Sequence, residues 1–472
     1  SVGENYGRVV AAWLRVIRQQ GVIALVLNTN GALFPIVPLL LIARSFSHCV
    51  QFTERFYEVY HHVRDKRKAA EISMGVMMAP GTLGIVTDAA GLFLIAIAPI
   101  PAMERFALFC GFWALMLIPT NVFMSALLLT FLPEPRNVAA IIGEDEKHSR
   151  LHTGIKRLLA FVGTLSHGRN GRVLTVVVLV VTVLAVVKLT DLKVGNPVEG
   201  SSLLFEDSEY NVAVGHINAQ FPGLNTLEIV FEAREASSVR RVMHQADTIA
   251  TMNALQRIVE SDEYPPVATL SFADYLPEAN RLFSGGNPKW APLDPSDESV
   301  AAAAGAVLFG TSPKAFLHVT DFIQENGTVS LWYKDNKQET VDRALAQARA
   351  AVEKVGAEHE NFRIRLATGT IALQQSINDT VDKYQYIIMA LLNVVMLFSC
   401  AYAYRSFVAG ILLLIPVNLS NVLLGAVMVS MGIGLDVNTL PITAIGIGVG
   451  IDYGIYLLSR ICEEYQLHES YE

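Results

Sequence analysis

An aspartate inside a membrane-length apolar segment is the feature that most constrains this chain. From Leu440 to Leu458 the sequence is apolar except for threonine, tyrosine and Asp452. A helix of about 20 apolar residues crosses a hydrocarbon core of about 30 Å. An ionised carboxylate at that depth costs roughly 2.5 kcal/mol or more, so it normally faces a partner or a wet cavity. We therefore predict a functional role for Asp452. The simpler alternative is a protonated side chain that only hydrogen-bonds a neighbouring helix.

Further apolar segments predict a polytopic α-helical membrane protein. Of the 472 residues, 52% are hydrophobic, and the net charge of −8 argues against a nucleic-acid partner. The cysteines show neither a disulfide framework nor the spacing of zinc ligands, so no metal or other cofactor is predicted. The predicted spans are 22–43, 76–98, 106–132, 173–190, 386–403, 408–434 and 440–458.

Basic residues between the spans predict how the chain is oriented. The segments 54–72 and 133–172 are rich in lysine and arginine, so the positive-inside rule places both in the cytoplasm. Alternation then places the acidic block 191–385 on the opposite side. The predicted order is an uncertain N-terminal segment (1–20), first-repeat spans (21–132), a cytoplasmic connector (133–172), one span (173–190), an external domain (191–385), three second-repeat spans (386–460) and a truncated cytoplasmic tail (461–472).

Two distant segments of the chain resemble each other. Residues 47–60 align with residues 452–465, with arginine, glutamate and tyrosine at matching positions. The matched pairs are Arg55 with Arg460, Glu58 with Glu463, and Tyr60 with Tyr465. Because both copies run in the same direction, they predict two halves related by an axis along the membrane normal. Functional sites in such proteins lie where the two halves meet.

Polar residues in the first half provide candidate partners for Asp452. Arg44 lies one helical turn before His48 on the same face. An arginine inside a span needs an anion, and both Asp452 and Asp88 are candidates. The alternative for Arg44 and Asp88 is a static buried ion pair, and a histidine alone is more often structural. The predicted proton relay consists of Asp452, Tyr453, Asp88, Arg44 and His48.

Three glycines on the last span follow a four-residue spacing. Gly446, Gly450 and Gly454 form a GxxxGxxxG pattern, which lets membrane helices approach closely. We predict that they pack against a neighbouring helix.

The external block 191–385 contains two β–α–β patterns. In the first, strand 227–233 precedes helix 237–252 and strand 255–260; in the second, strand 328–335 precedes helix 339–355 and strand 361–369. Two such units predict an α+β domain of the ferredoxin-like kind. The block contains no catalytic triad, metal-ligand cluster or phosphate loop, so an enzyme is the weakest hypothesis.

Together these features resemble one superfamily. The segment GIGVGIDYGIYL, the repeat and the large external domain are similar to the resistance–nodulation–division (RND) exporters, in particular the MMPL and hopanoid-transporter-like branch. The resemblance implies that the chain is an internal fragment holding the fourth to tenth spans and the second periplasmic porter domain. Family members couple export to proton influx through carboxylates on the fourth and tenth spans. Asp452 and Tyr453 match the tenth span, whereas Ser47 and His48 stand where the fourth-span carboxylate is expected.

The resemblance implies a transporter in the bacterial inner membrane. We expect export of a hydrophobic or lipid-like substrate driven by the proton-motive force, with the lipid bilayer, protons and substrate as partners. A homo-oligomer or a periplasmic accessory protein would be a further partner. The alternative is a non-transporting protein of the same fold, either a sterol-sensing or receptor-like relative or an accessory scaffold.

Overall fold

The structure is a computed structural model that describes residues 36–132, 150–166, 168–195, 199–201, 204–235, 237, 239–309 and 311–468. It divides into two compact units. The membrane unit comprises the described residues of Ser1–Leu192, Thr380–Met431 and Val437–Glu472. The α+β unit comprises the described residues of Lys193–Asp379 and Gly432–Asp436.

The helices and strands are numbered here in chain order. The first half contains α1 (Ile36–Val63), α2 (Lys66–Leu94), α3 (Pro101–Leu117), α4 (Met124–Phe131), α5 (Arg150–Ser166), α6 (Gly168–Leu189), α7 (Glu209–Gln220), β1 (Asn225–Ala233) and α8 (Ala246–Glu260). The second half contains β2 (Ala268–Ser271), α9 (Leu276–Phe283), α10 (Asp297–Phe309), β3 (Gly327–Tyr333), α11 (Gln338–Val355), β4 (Phe362–Thr368), α12 (Thr370–Tyr404), α13 (Phe407–Ser430) and α14 (Leu440–His468). A π-helix, Ile118–Phe123, joins α3 to α4.

Six helices among the described residues are long and apolar enough to cross a membrane. They are Lys66–Ile97, Pro101–Phe131, Gly168–Leu189, Thr370–Tyr404, Phe407–Ser430 and Leu440–Tyr465. Each contains or overlaps one of the predicted spans from 76–98 onward. Most of the remaining predicted span, 22–43, and the N-terminal segment 1–20 lie outside the described residues. Where its description begins, at Ile36, the chain is already helical as α1.

The surface of the membrane unit is apolar where a soluble protein would be polar. Helix α6 leaves nearly its whole length exposed, including Leu179, Leu184 and Val187, each more than 60% exposed. Hydrocarbon chains solvate such side chains well, and a helix satisfies its own backbone hydrogen bonds. This surface is typical of a multi-pass membrane protein.

Local sequence sets where the membrane helices begin. At α2 the side chain of Asp65 accepts hydrogen bonds from the backbone N–H groups of Arg67 and Lys68. At α13 the hydroxyl of Ser406 accepts one from the N–H of Ala409. Both residues act as N-caps, which satisfy donors that the first turn of a helix leaves free. Polar residues just before α2 and α13 therefore fix where these two helices begin.

The α+β unit is built on one antiparallel sheet with the strand order β2-β3-β1-β4. Helix α8 follows β1, and helix α11 follows β3. Alternate residues of the strands are fully buried, as expected for a sheet covered on one face. They form a core with apolar residues of the two helices. This core includes Leu227, Ile229, Phe231, Met252, Leu255, Val329, Leu331, Val341 and Ala348.

One predicted strand of this unit is wrong. Residues 255–260 lie in the last turns of α8, and the helix predicted from residue 237 begins at Ala246. The buried side chains Met252, Leu255 and Val259 recur at three- and four-residue intervals, which is the helical period. A short apolar run does not distinguish a strand from a buried helix segment. The strand that follows α8 is Ala268–Ser271 instead. The other predicted strands agree with β1, β3 and β4 to within two residues.

Candidate functional site

Helices α1 and α14 meet along a line of polar side chains, which we call the seam. In each of three contacts, a residue of α1 meets the residue 408 positions later in α14. These contacts are Arg44 with Asp452, His48 with Tyr456, and Arg55 with Glu463. Because the contacts advance in the same direction along both helices, α1 and α14 run parallel. The seam thus brings together the two segments that align in the sequence.

Arg44 lies between two buried carboxylates. Its Nε atom is 2.5 Å from Oδ2 of Asp88 on α2. Its Nη2 atom is 2.7 Å from Oδ2 of Asp452 on α14. All three side chains are at most 6% exposed. The sequence left open which acid pairs with Arg44, and the structure places it against both. We call these three residues the acid–arginine cluster.

The cluster carries more negative than positive charge. One guanidinium faces two carboxylates, so the formal charge is −1 when both acids are ionised. In addition, Oδ1 of Asp88 and Oδ1 of Asp452 are buried and accept no hydrogen bond from the described residues. A buried net charge is costly, and a carboxylate oxygen without a donor is a natural place for a proton. One bound proton makes the cluster electrically neutral.

His48 connects the cluster to a tyrosine on α14. Its Nδ1 atom is 2.9 Å from the hydroxyl of Tyr456, and its Nε2 atom is 3.9 Å from Oδ2 of Asp452. The predicted relay residue Tyr453 is not beside them, because its side chain is 61% exposed on the surface of the membrane unit. The tyrosine that contacts His48 is Tyr456. It lies one turn after Asp452 on the same helix face, so i, i+4 spacing could have indicated it.

A glycine on α2 makes room for the carboxylate of Asp452. A Cβ atom built at Gly84 would lie 1.6 Å from Oδ1 of Asp452. On α14, Gly448 faces Asp88 at ordinary contact distance, with 3.5 Å from its ideal Cβ position to the Cα atom of Asp88. The acid–arginine cluster therefore depends on close approach of α2 and α14. Sequence analysis missed Gly84, because a lone glycine in an apolar helix gives no sign of its partner.

The π-helix contributes a second polar contact to α1. Nδ2 of Asn121 donates to the hydroxyl of Ser45 at 2.9 Å and to its backbone carbonyl at 3.2 Å. Both residues are at most 1% exposed. π-Helical turns are rare and are often found at functional sites. Asn121 was also missed, although a buried asparagine two residues after Pro119 in an apolar run was a usable signal.

The three spaced glycines of α14 face α13. The ideal Cβ position of each glycine lies within 3.6 Å of one side chain of α13. The pairs are Gly446 with Asn421, Gly450 with Val417, and Gly454 with Leu413. The residues of α13 are also four apart, so the two helices meet over two turns. Close helix approach at small residues is a common way to pack membrane helices.

The geometry is that of a buried charge cluster inside a helix bundle. Among the described residues, no three histidine, cysteine or acidic side chains are grouped to hold a metal ion. The arrangement places one guanidinium between two acids inside a bundle of membrane-length helices. Such a bundle is typical of a membrane transporter or a related protein.

Comparison with known proteins identifies the family. The sequence model of the MMPL family matches residues 202–472, and the chain belongs to this family. The predicted relationship to RND and MMPL proteins is thereby confirmed. No curated protein sequence is significantly similar to the chain.

Two solved structures are similar to this chain, and the first of them shares its fold. The hedgehog release protein Disp of the water bear Hypsibius dujardini is similar with a TM-score of 0.56 at 12% sequence identity. The match covers 93% of this chain and 56% of Disp, so this chain spans about half the length of that structure. SecDF, a translocon-associated membrane protein of Thermus thermophilus, matches with a TM-score of 0.41 at 13% identity, over 92% of this chain and 45% of SecDF.

Proposed function

We propose that the chain forms the proton-coupled part of an RND-type exporter driven by the proton-motive force. The observation that carries this proposal is a single arginine between two buried carboxylates, Asp88 and Asp452. Ionisable groups inside membrane helices often mark proton pathways in transporters. A permanently bound structural pair would need one acid, whereas the second acid gives this cluster the capacity to take up a proton.

The proposed switch depends on how Arg44 is shared. With both acids ionised, the guanidinium holds α2 and α14 together through its two contacts. A proton on Asp452 removes one of these attractions, and Arg44 then keeps a single charged partner in Asp88. Helix α14 is then free to shift relative to α1. Binding and release of the proton therefore bias two arrangements of the bundle.

His48 and Tyr456 provide the proposed route by which the proton reaches Asp452. The imidazole lies between the tyrosine hydroxyl and the carboxylate. A neutral imidazole has one donor and one acceptor nitrogen, so it can pass a proton across its ring. The hydroxyl of Tyr456 would exchange a proton between His48 and water on the far side of His48.

Two features of the fold support the exporter proposal. The strand order β2-β3-β1-β4, with one helix after β1 and one after β3, supports a ferredoxin-like periplasmic porter domain. The contacts between the aligned segments of α1 and α14 support a tandem repeat. The lipid-like substrate and the bacterial inner membrane rest on the family resemblance. Disp is described as a release protein, and export agrees with that description.

A non-transporting role is the second candidate, and one observation favours it. Ser47 and His48 stand where related exporters carry a fourth-span carboxylate, so this chain lacks the usual acid on α1. A receptor-like or scaffold protein of the same fold would need no proton-binding acid there. In such a protein the acid–arginine cluster would only hold the helices together.

Flux measurements on an Asp452→Asn variant test the proposal. The protein is reconstituted in sealed vesicles, and a fluorescent phospholipid serves as the probe substrate. We expect gradient-dependent probe movement to be lost in the variant, because an amide cannot take up the proton. Asp191→Asn is the matched control, since the Asp191 side chain is 62% exposed and its partner Lys188 does not belong to the acid–arginine cluster. Equal flux in both variants, at equal amounts of folded protein, would remove Asp452 from the mechanism.

A further inference from the structure

Four charged residues close one end of the seam in a ring. Arg55 and Glu58 belong to α1, and Arg460 and Glu463 belong to α14. Each arginine contacts both glutamates, and each glutamate contacts both arginines. Within the helices, Arg55 is 2.8 Å from Glu58 and Arg460 is 3.2 Å from Glu463. Between the helices, Arg460 is 3.1 Å from Glu58, and Arg55 contacts Glu463. We call these four residues the charge ring.

The ring is reciprocal in the way that two-fold symmetry requires. The sequence alignment relates Arg55 to Arg460 and Glu58 to Glu463. Exchanging the two segments converts the contact of Arg55 with Glu463 into that of Arg460 with Glu58, which is the second contact observed. A self-complementary interface has this property. The acid–arginine cluster lacks it, because the residues related to Asp452 and Arg44 are Ser47 and Val449.

The ring differs from the acid–arginine cluster in what happens when the helices separate. Each helix carries its own arginine–glutamate pair at i, i+3 spacing, and Arg460 also contacts Glu464 on α14, so each arginine keeps a partner on its own helix after separation. Its members are between 12% and 43% exposed, so water also reaches them. Part-exposed ion pairs contribute little and are weakened by salt. Such a ring closes and opens at small cost.

Buried polar atoms lie between the ring and the cluster. On α1, Nε2 of His48, Oε1 of Gln51 and Nε of Arg55 are buried and have no hydrogen-bond partner among the described residues. These residues follow one another at three- and four-residue spacing along the seam. Buried polar groups of this kind are usually satisfied, often by water. The seam behind the ring is therefore suited to admitting water as far as His48.

We propose that the charge ring is a reversible latch that controls water access to the acid–arginine cluster through the α1–α14 seam. The role of this water in proton coupling rests on the proposed function. Opening of the latch is a separation of α1 from α14, and it can be tested without measuring transport. When it is closed, the cluster is sealed from that end of the seam. When it opens, water can reach Tyr456, His48 and Asp452.

Charge exchange gives variants of identical composition to test the latch. The double variant Arg55→Glu/Glu58→Arg keeps the pair within α1 but sets like charges against each other across the seam. Adding Arg460→Glu/Glu463→Arg restores opposite charges across the seam and keeps a pair at these two positions of α14, while Glu464 loses its contact with Arg460. The first variant should hold the latch open, and the four-fold variant should close it again. Local damage from the first two substitutions remains in the four-fold variant, so only restored pairing across the seam can reverse their effect.

Labelling at Ser459 reports whether the seam is open. Ser459 is half-buried on α14 between Tyr456 and Glu463, where its hydroxyl contacts that of Tyr404 at 2.7 Å. The reporter Ser459→Cys is introduced with Cys462→Ser, which removes an exposed native thiol. N-ethylmaleimide is then applied to membranes holding the protein. We expect the double exchange to speed labelling about ten-fold, as for the loss of two part-exposed ion pairs, and the four-fold exchange to reverse this.

Two outcomes would overturn the latch. One is equal labelling rates with the original ring and with the double exchange, and the other is fast labelling that the four-fold exchange does not reverse. If the exchange variants fail to fold, the original ring is labelled at rising salt concentration instead, where a rate that does not increase has the same meaning. Reversible labelling together with undiminished flux in Asp452→Asn would keep the latch and reject the proposed proton coupling.

Discussion

At the scale of single residues, Gly84 decides whether Asp452 can occupy its place beside Arg44. The distance from an added Cβ atom to Oδ1 of Asp452 would be 1.6 Å, well inside any real contact. Asp452 is pressed between α2 and Arg44, so its carboxylate has little room to give way. The absence of a side chain at residue 84 is thus as much part of the site as the charges are.

The variant Gly84→Ala should displace Asp452 from Arg44. We expect loss of gradient-dependent flux and a fall in unfolding free energy of about 1–3 kcal/mol, the usual cost of overpacking. Flux in vesicles and thermal unfolding of the protein in detergent measure the two effects. Gly75→Ala on the same helix is the matched control, because nothing lies within 4 Å of its added Cβ atom. If both variants behave like the unchanged protein, Gly84 does not position Asp452.

The sequence predicted the charged residues of the site better than the uncharged ones. Arg44, Asp88 and Asp452 stand out because a charge inside an apolar span must find a partner. Gly84 and Tyr453 show the limit of that reasoning. Whether a glycine makes room for a neighbour, and which of two nearby tyrosines faces inward, depends on the rotation of a helix against its partner. That rotation comes from packing of segments hundreds of residues apart.

At the scale of helices, α13 and α14 approach each other where small residues face larger ones. The ideal Cβ position at Gly454 is 2.8 Å from Cδ2 of Leu413, whereas that at Gly450 is 3.5 Å from Val417. The first contact is too short and the second is ordinary. The tightest point of this interface is therefore Gly454, near the middle of α14.

A double-mutant cycle tests this interface. Gly454→Ala should destabilise the protein by overpacking. Leu413→Ala should destabilise it by leaving a void in place of a side chain that is only 6% exposed. In the double variant the added and removed atoms compensate, and we expect a favourable coupling of about 0.5–3 kcal/mol. Thermal unfolding in detergent gives the four values, with Gly450→Ala as a control of small effect. Simple additivity of the two changes would show that these side chains do not meet.

Helices and strands were predictable to different extents. Long apolar helices are easily recognised from the sequence, and all six spans among the described residues were expected. The strand predicted at 255–260 failed because its apolar residues serve equally well on a buried helix face. Between β2 and β3 the chain also inserts α9 and α10, and the irregular sequence there gave no period to follow.

At the scale of the whole molecule, the proposed orientation makes a prediction about sidedness. The basic segment 54–72, which contains the start of α2, is expected in the cytoplasm, whereas the α+β unit is expected on the other side. Arg67→Cys and Ser261→Cys place an exposed thiol in each region. Both are made with Cys462→Ser, so that an exposed native thiol does not contribute.

Only Ser261→Cys should react with a membrane-impermeant maleimide in sealed right-side-out vesicles. Arg67→Cys should react after the membrane is permeabilised, because its thiol faces the interior. The fraction of protein labelled before and after permeabilisation measures both. Labelling of both thiols in sealed vesicles would mean that the segment 54–72 is not enclosed, and the opposite pattern would reverse the orientation.

The single arginine of the acid–arginine cluster also limits the energy that the protein can use. One guanidinium between two carboxylates becomes neutral with one proton, so the proposed cycle carries one proton at a time. A charge moved through 100 mV releases about 2.3 kcal/mol. At about 1.4 kcal/mol for each factor of ten, that sustains an accumulation ratio of about fifty-fold for an uncharged substrate. A steeper gradient of substrate would require a second coupled charge elsewhere in the protein.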